Sequence, residues 1–575
     1  MLSFRIVRFQ RLSLGGGKQD NAIALLRRAA REGCWLCLEN LHLVSNWSVV
    51  LEKEMSQLGD DIHPTFSLWL TTEPSENISH DLIRNSLKVV YESPTGIKYN
   101  VQRIVAHWGS NFVREDISDK ARSQLLFLLA WFHALVNERN KFFRQGWAEH
   151  YGFSVGDILA GSFVMENCYR TKNWDAIHGL LIDSIYGGRI NNVYDQQILT
   201  VYVKEIFCSA VLDGYANIPM NSKIKVPKKN CASLYKELLS TLPSADYIHI
   251  FGLPKNVGHY VSSAASATLV DKLMTLENSS HSTKFDSQVL RDTLSSTVQL
   301  WEELKESFPK VSASEESVQT PKKSFNCHEF EDDMNSGSIV DSCIKSEAAY
   351  GRYIFRAINS KLTSVLWMLK SDELLQPQLS PTLGMISKGL VPNEWISLWP
   401  GGPDNLSDWL DDVIQRTNAM LDLAQRENPL EAVISLSMFF NPLTFLNALR
   451  QQTARLTNSA IDNLRLVCQW NREHISSSSL CVTIDDVLIQ GSYFNGHSLA
   501  EVASNAKDLA AMPPLILVYV TEEDKAAYLH PHNLYLPLYF DTSREKVLTE
   551  LSLPCANAEE IRKWILSGTA LFMRK

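Results

Sequence analysis

The chain has 575 residues, a formal net charge of -9, 45% hydrophobic and 21% charged residues. That length allows two to four domains with sizeable cores, and the acidic balance argues against a nucleic-acid-binding protein, which needs a basic surplus to neutralise phosphates. Ten cysteines are scattered over the whole length rather than densely spaced, which reads as reduced thiols in a cytoplasmic compartment and not as a secreted disulfide framework. The sequons at Asn46, Asn77, Asn278 and Asn405 would matter only in a secreted protein and are discounted.

The N-terminus, MLSFRIVRFQRLSL, has Arg5, Arg8 and Arg11 and no acid before Asp20. A transit peptide has that composition, but residues 1–12 are read here as an unstructured or atypical start. SLGGGKQDNA follows from Ser13 and invites comparison with a phosphate-binding loop. A Walker loop, G-x-x-x-x-G-K-[ST], needs a first glycine, a Gly-Lys pair and a hydroxyl for magnesium. With Gly17-Lys18 as the pair, the first glycine falls on Leu12 and the hydroxyl on Gln19, and the loop follows no convincing buried strand. The stretch reads as a glycine-rich lead-in to an amphipathic helix, NAIALLRRAARE, ended by Gly33.

CWLCLENLHL is an apolar run ending in polar residues, the pattern of a buried parallel strand. It resembles a Walker B strand in which Glu39 takes the metal-acid position and Asn40 that of the water-activating glutamate. Asparagine cannot act as a general base. Cys34 and Cys37, three apart on a strand and without a second pair, do not make a zinc or redox site. FSLWLTTEP (Phe66–Pro74) and SLKVVYES (Ser86–Ser93) read as further strands, so residues 13–110 form an α/β sheet module.

Residues 111–248 are helical. ARSQLLFLLAWFHALVNERNKFF has apolar residues at helical spacing without internal glycine or proline. Its most apolar run, from Leu125, spans about twelve residues where a membrane span needs about twenty, so it is a buried core helix. His133 within it reads as a satisfied helix residue. Residues 249–470 continue helical, with an insertion at 309–340 whose composition is that of a disordered segment and in which Thr320-Pro321 is a candidate phosphorylation site. WISLWPGGPDN is a turn with two tryptophan anchors, and Pro442 sits near the start of a helix, PLTFLNALRQQTARLTN. Over 471–575, with LRLVCQW just before it, the period changes to two: LCVTIDDVLIQG, PLILVYVT, LYLPLYF, KVLTELSLP and WILSGTALFM make six short strands of a small antiparallel barrel or sandwich. Gly496-His497-Ser498 imitates a nucleophile elbow, but IQGSYFNG before it has the polar, glycine-broken character of a hairpin.

LGGGKQDNAIALLRRAAREGCWLCLENLHLVSNW, HPTFSLWLTTEP and SLKVVYESPTGIKYN together resemble the sixth AAA+ module of dynein heavy chains, where the loop reads like LGQGQ and the strand like WVLLQNCHL. AWFHALVNERNKFFRQGW and IYGGRINNVYDQQIL look like that module's helical lid. IFGLPKNV, FFNPLTFLNALRQQTAR and LYLPLYFDTSRE look like the dynein C-terminal domain. NPLTFLNALRQQTAR and YESP look most like the cytoplasmic dynein 2 branch, which drives retrograde intraflagellar transport. The resemblance runs from about Leu14 to the end.

The resemblance implies a multidomain α+β fold: a truncated AAA+ α/β module, a helical lid, then a helical region ending in a small β barrel or sandwich. It implies a structural module that does not hydrolyse ATP. The module's first strand and degenerate phosphate loop are expected to be absent, as are the tail, linker, first five AAA+ modules and stalk. No catalytic, cofactor-binding or metal residue carries over, since ATP and Mg belong to the upstream modules. Implied partners are adjacent AAA+ modules of the same heavy chain and dynein 2 complex subunits, with microtubules reached only through the stalk, and no nucleic acid or membrane. Cytoplasm, cytoskeleton and cilium are the implied locations. Two other classes stand beside this reading: a free-standing enzyme, an ATPase through Lys18 and Glu39 or a hydrolase through Ser498, and an adaptor whose β domain binds a partner.

Overall fold

The structure is a computed structural model that describes residues 8–58, 62–73, 78–90, 94–114, 120–171, 173–213, 217–218, 224–244, 246–280, 287–306, 338–371, 380–470, 480–496, 498–503, 507–525 and 530–574. The polypeptide divides into two compact units, Met1–Ser93 and Pro94–Lys575.

The first unit is an α/β sheet of three parallel strands, β1 (Phe9–Ser13), β2 (Trp35–Glu39) and β3 (Ser67–Leu70), in that spatial order. The strand β1 corrects the expected unstructured start and the expected lack of a strand before the glycines. Its sequence, FQRLS, hides the strand because it lies at an edge, where Gln10, Leu12 and Ser13 are drawn half inside while Phe9 and Arg11 stay exposed. The helix Gln19–Glu32 packs Ala22, Leu26 and Ala29 against Leu36 and Leu38 of β2. Gly33 ends it with a positive φ of 72°. A side chain there would also strike Thr65 and His63, since a Cβ would lie 2.4 Å from each. Residues 87–90 of the expected third strand pair with nothing in this sheet, and Leu87, Val89 and Val90 are 92%, 70% and 76% exposed. The alternation is right for a strand, but a ladder needs a neighbour to supply hydrogen bonds. Residues 91–93 lie outside the described residues.

In the second unit the helix Ala121–Arg139 runs through the middle of the lid, buried along its length apart from Asn137. Apolarity on every side is what a helix enclosed by others requires. It is wrapped by Ile97–Trp108, Val155–Cys168 and Val193–Ile206. The turn in the sequence YGGR depends on a close approach, since a Cβ on Gly187 would sit 1.5 Å from the Ile182 carbonyl oxygen.

Helices Ser287–Glu306, Ile339–Ser371 and Leu406–Ala424 enclose a second core rich in tryptophan. The rings of Trp395 and Trp399 lie 5.9 and 5.8 Å from that of Trp409, which makes both anchors of the expected turn real. Most of the 309–340 insertion, with Thr320-Pro321, lies outside the described residues, and its last two residues, Ile339 and Val340, already belong to the next helix. Asn441 caps the next helix, Pro442–Thr457, by accepting from the Thr444 amide, with Pro442 at its first position.

The remaining strands form two larger sheets and a separate two-stranded one, and strands of all three contribute to one core. One holds β4 (Val433–Ile434), β5 (Leu464–Gln469), β6 (Cys481–Ile484) and, further on, Leu515–Thr521. The other starts with β7 (Val487–Gln490). A small hairpin follows, β8 (Tyr493–Phe494) with β9 (Leu499–Ala500), and then β10 (Leu509–Ala511). Leu515–Thr521 is β11, after which come β12 (Asn533–Tyr539), β13 (Val547–Pro554) and β14 (Ala570–Met573). The spatial orders are β4-β6-β11-β5 and β10-β7-β14-β12-β13.

Three details differ from what the sequence predicts. LCVTIDDVLIQG is two strands in different sheets, turned at Asp485-Asp486. Pairing is mixed, because β4–β6 and β12–β14 are parallel. WIL belongs to a helix, Ala558–Leu566, whose cap Asn557 accepts from the Glu560 amide, and only ALFM is strand. Among the described residues no helix is long and apolar enough to cross a membrane.

Candidate functional site

In an open parallel sheet, ligands bind at the carboxyl ends of the strands. Here those ends carry Glu39 and, bonded to one another, Ser13, Asn40 and Thr71. Asn40 adopts a positive φ of 63°, a conformation asparagine tolerates. Its Nδ2 donates to Ser13 Oγ at 3.1 Å and its backbone amide to Thr71 Oγ1 at 3.2 Å, which ties the ends of the three strands together. Glu39 lies 3.8 Å from Arg11. Gly16 and Gly17 have φ of 74° and 77°, and a Cβ on either would meet nothing within 4 Å. They permit the turn before the helix. Asp20 in the first helical turn places a negative charge where a phosphate would otherwise be attracted. Cys34, just before β2, and Cys37, within it, are both free and buried, and among the described residues no group of three His, Cys, Asp or Glu is placed to hold a metal.

Ser498 lies in the turn of the β8–β9 hairpin, as the glycine-broken sequence predicts. Its amide donates to Asn495 Oδ1 at 2.9 Å and its carbonyl accepts from the Asn495 amide at 3.2 Å. Gly496 has φ of 94°. This is a hairpin turn rather than the strand-to-helix turn of a nucleophile elbow; His497 lies outside the described residues.

The densest polar construction is at the junction of the lid with the C-terminal sheets. Arg139, wholly buried, donates from Nε to the Gly146 carbonyl at 2.6 Å and from Nη1 to Tyr202 Oη at 2.5 Å and the Phe251 carbonyl at 2.6 Å. Nη2 reaches the Leu566 carbonyl at 2.8 Å. The Tyr202 hydroxyl in turn donates to the Phe251 carbonyl at 2.6 Å. The guanidinium also lies over the rings of Trp147 and Tyr202. Beside it, Gln145 donates to the Ser567 carbonyl at 3.2 Å, and Gly568, at φ 64°, comes so near that a Cβ would lie 2.1 Å from the Gln145 carbonyl oxygen. Asp195 accepts the Ala148 amide at 3.0 Å and the Tyr151 hydroxyl at 2.8 Å. Burial pushes its carboxyl above the ordinary range, an effect these bonds oppose.

His133, expected to be a satisfied helix residue, is one. It is buried with Nδ1 3.0 Å from Tyr186 Oη, and burial pulls its pKa down to about 4, which keeps the ring neutral. Arg139 and the residues around Leu566 carried no signal in the sequence, because a lone arginine ending a helix usually marks a solvated end.

Three family profiles match in order along the sequence: the P-loop domain of dynein heavy chain region D6 over 3–90, the AAA lid domain of dynein heavy chains over 122–257, and the C-terminal domain of dynein heavy chains over 263–573. The last covers more than half of the residues, and the first begins at residue 3, ahead of the Leu14 start read from the sequence. Cytoplasmic dynein 2 heavy chain 1 of Tripneustes gratilla is 32% identical over 98% of this protein, and that of Homo sapiens 31% over 98%. Dynein axonemal heavy chain 9 of Homo sapiens is 24% identical over 100% of it. The 575 residues span 13% of the length of each of these relatives. With its D6, lid and C-terminal domains in family order and its similarity mostly to dynein 2, the protein belongs to the dynein heavy chains and is homologous to their C-terminal region.

Proposed function

We propose that this protein forms the closing, non-hydrolysing part of a dynein motor ring: it binds no nucleotide of its own and carries force and conformational change between the lid and the C-terminal domain. ATP and Mg are the business of upstream modules in the full motor. Adjacent AAA+ modules of the same heavy chain are its immediate partners, dynein 2 complex subunits its wider ones, and microtubules are reached through the stalk. The cytoplasmic dynein 2 relatives favour retrograde intraflagellar transport, in the cytoplasm and cilium, as the setting.

The observation that carries this reading is the Arg139 junction. A buried guanidinium spent on three backbone carbonyls and a tyrosine performs no chemistry on a substrate. It fixes the lid helix to the last residue of the helix before β14 across 427 positions of sequence. Packed interfaces of this kind pass on displacement because interiors are dense and resist compression. An apolar face on the first unit adds support: Phe9, Trp35 and Trp69 are exposed on the sheet, with the two indole rings 6.0 Å apart, and Leu87, Val89 and Val90 of the same unit are open to solvent. Such a surface suits packing against a neighbouring module.

The test is deletion of the region after residue 470 in a full-length motor. Altered velocity, force or processivity in single-molecule motility is expected, and a motor unchanged in all three would remove the basis for the proposal. A denaturing blot against the region after Leu480 gives the companion result: a band far above 65.0 kDa supports a motor subunit, whereas one at that mass points to an adaptor without motor chemistry.

A further inference from the structure

A cavity of about 460 Å³ opens where the helical half of the C-terminal domain meets its sheets, a volume in the usual range for small-ligand sites. Tyr350, Trp399, Phe440 and Phe540 supply aromatic walls, and Glu347 lines it from the helix Ile339–Ser371. Glu347 is 1% exposed. One carboxyl oxygen, Oε2, accepts the Phe440 amide at 2.8 Å and the Asn441 amide at 3.4 Å. The other, Oε1, is buried without a hydrogen-bond partner among the described residues, as is the indole nitrogen of Trp399.

The nearby cation does not complete the carboxylate. Arg416 is committed to Asp412 at 3.1 Å and to the carbonyls of Ser437 and Phe439, with its guanidinium 4.6 Å from the Trp399 ring centre. At the rim, Asp541 and Glu545 outnumber Lys546. Burial pushes Glu347 up to about 7, which marks how poorly its charge is compensated.

Three ligand classes fit badly. An anion meets three acids, a purely apolar group leaves Oε1 unpaired at a cost, and a strongly hydrated ion gains nothing from aromatic walls. We propose that this cavity binds a positively charged nitrogen borne on an aromatic or apolar group, with the nitrogen on Glu347 Oε1 and the apolar part against Trp399, Phe440 and Phe540. A charge-assisted hydrogen bond satisfies the orphan oxygen, and the aromatic faces favour a cation. The nitrogen belongs either to a free amine or to a lysine or arginine side chain of a peptide. This inference is independent of the motor role.

The test is calorimetric titration of the whole protein with phenethylamine, with phenethyl alcohol of the same shape but no charge, and with the blocked peptide acetyl-Phe-Lys-Phe-amide. Expected is binding of the amine at least about tenfold tighter than the alcohol. Glu347→Gln should remove most of that difference. Leu443→Trp, at a half-exposed rim position on the neighbouring helix, should weaken the amine without touching Glu347, which keeps the test valid should the first variant fail to fold. A peptide binding tighter than the amine supports the site and identifies a partner side chain as the source; the reverse supports it with a free amine. Equal binding of amine and alcohol, binding unchanged in Leu443→Trp, or heat from none of the probes at millimolar concentration, meaning a cavity that holds only water, would each overturn the proposal.

Discussion

Replacing Arg139 by methionine tests the junction most directly. Methionine keeps most of the aliphatic stem between Trp147 and Tyr202 while removing every donor. The Gly146 and Leu566 carbonyls lose this donor, whereas the Phe251 carbonyl keeps the Tyr202 hydroxyl. Each polar group left buried and unpaired costs about 1–3 kcal/mol. Against this, the variant no longer carries the cost of burying a charge. Arg139 has dipoles rather than a carboxylate as hydrogen-bond partners, so part of the loss is offset, and about 3 kcal/mol of local stability is the net expectation. Hydrogen exchange reads this locally. The amides of Gly252, Ser567 and Gly568, bonded to His249, Lys563 and Ile565, should exchange about a hundredfold faster. Arg139→Lys should fall between, because one ammonium cannot reach Gly146 and Leu566 as a planar fork does. Exchange at those three amides within about threefold of wild type would refute the claim that this side chain holds the lid to the C-terminal domain.

Other consequences are equally open to measurement. Glu347 has an ordinary pKa of 4.5 and is pushed up to about 7 in the fold, so the folded state holds its proton more tightly than the unfolded state. Its penalty is absent below pH 4.5, grows as pH rises from 4.5 to 7 and is constant above; Glu347→Gln should therefore gain about 3 kcal/mol on wild type between pH 4 and pH 8 in denaturant titrations, and a pH-independent difference would refute this. Gly568→Ala should destabilise by at least about 2 kcal/mol, from the positive φ and the clash with Gln145, whereas Gly17→Ala, with open space around it, should cost only about 1 kcal/mol; equal losses in thermal unfolding would contradict the geometry. Millimolar Mg-ATP should leave the thermal midpoint of the protein unmoved, and a rise of several degrees would mean that the sequence around Lys18 binds nucleotide after all.

Much of the fold is legible where local chemistry decides it. The apolar run of Leu125–Val136 announces an enclosed helix, Pro442 after Asn441 marks a helix start, and the two glycines around Tyr493-Phe494-Asn495 mark a hairpin. Where tertiary context decides, local pattern misleads. FQRLS looks polar because an edge strand is only half covered. SLKVV alternates correctly yet has no neighbour to pair with among the described residues. WIL reads as part of a strand, although Asn557 three residues before Glu560 is a helix-start signature the sequence does display. At the functional level the failures of Gln19 and Asn40 to match nucleotide motifs are visible in the sequence, but the roles of Arg139 and Glu347 are not. Each looks like an ordinary charged residue on a helix, and its meaning comes from segments far away in sequence.

The placement of β14 bears on how the protein is made. It lies in the interior of its sheet, between β7 and β12, although it is the last of those strands to be synthesised. During synthesis β7, β12 and β13 leave the ribosome with a gap where β14 must insert, and two unsatisfied edges wait for it. The sheet therefore cannot close progressively from the N-terminal side. Until the ribosome has released Ala570–Met573, the nascent domain exposes strand edges of the kind that chaperones cover and that misassemble with neighbouring molecules.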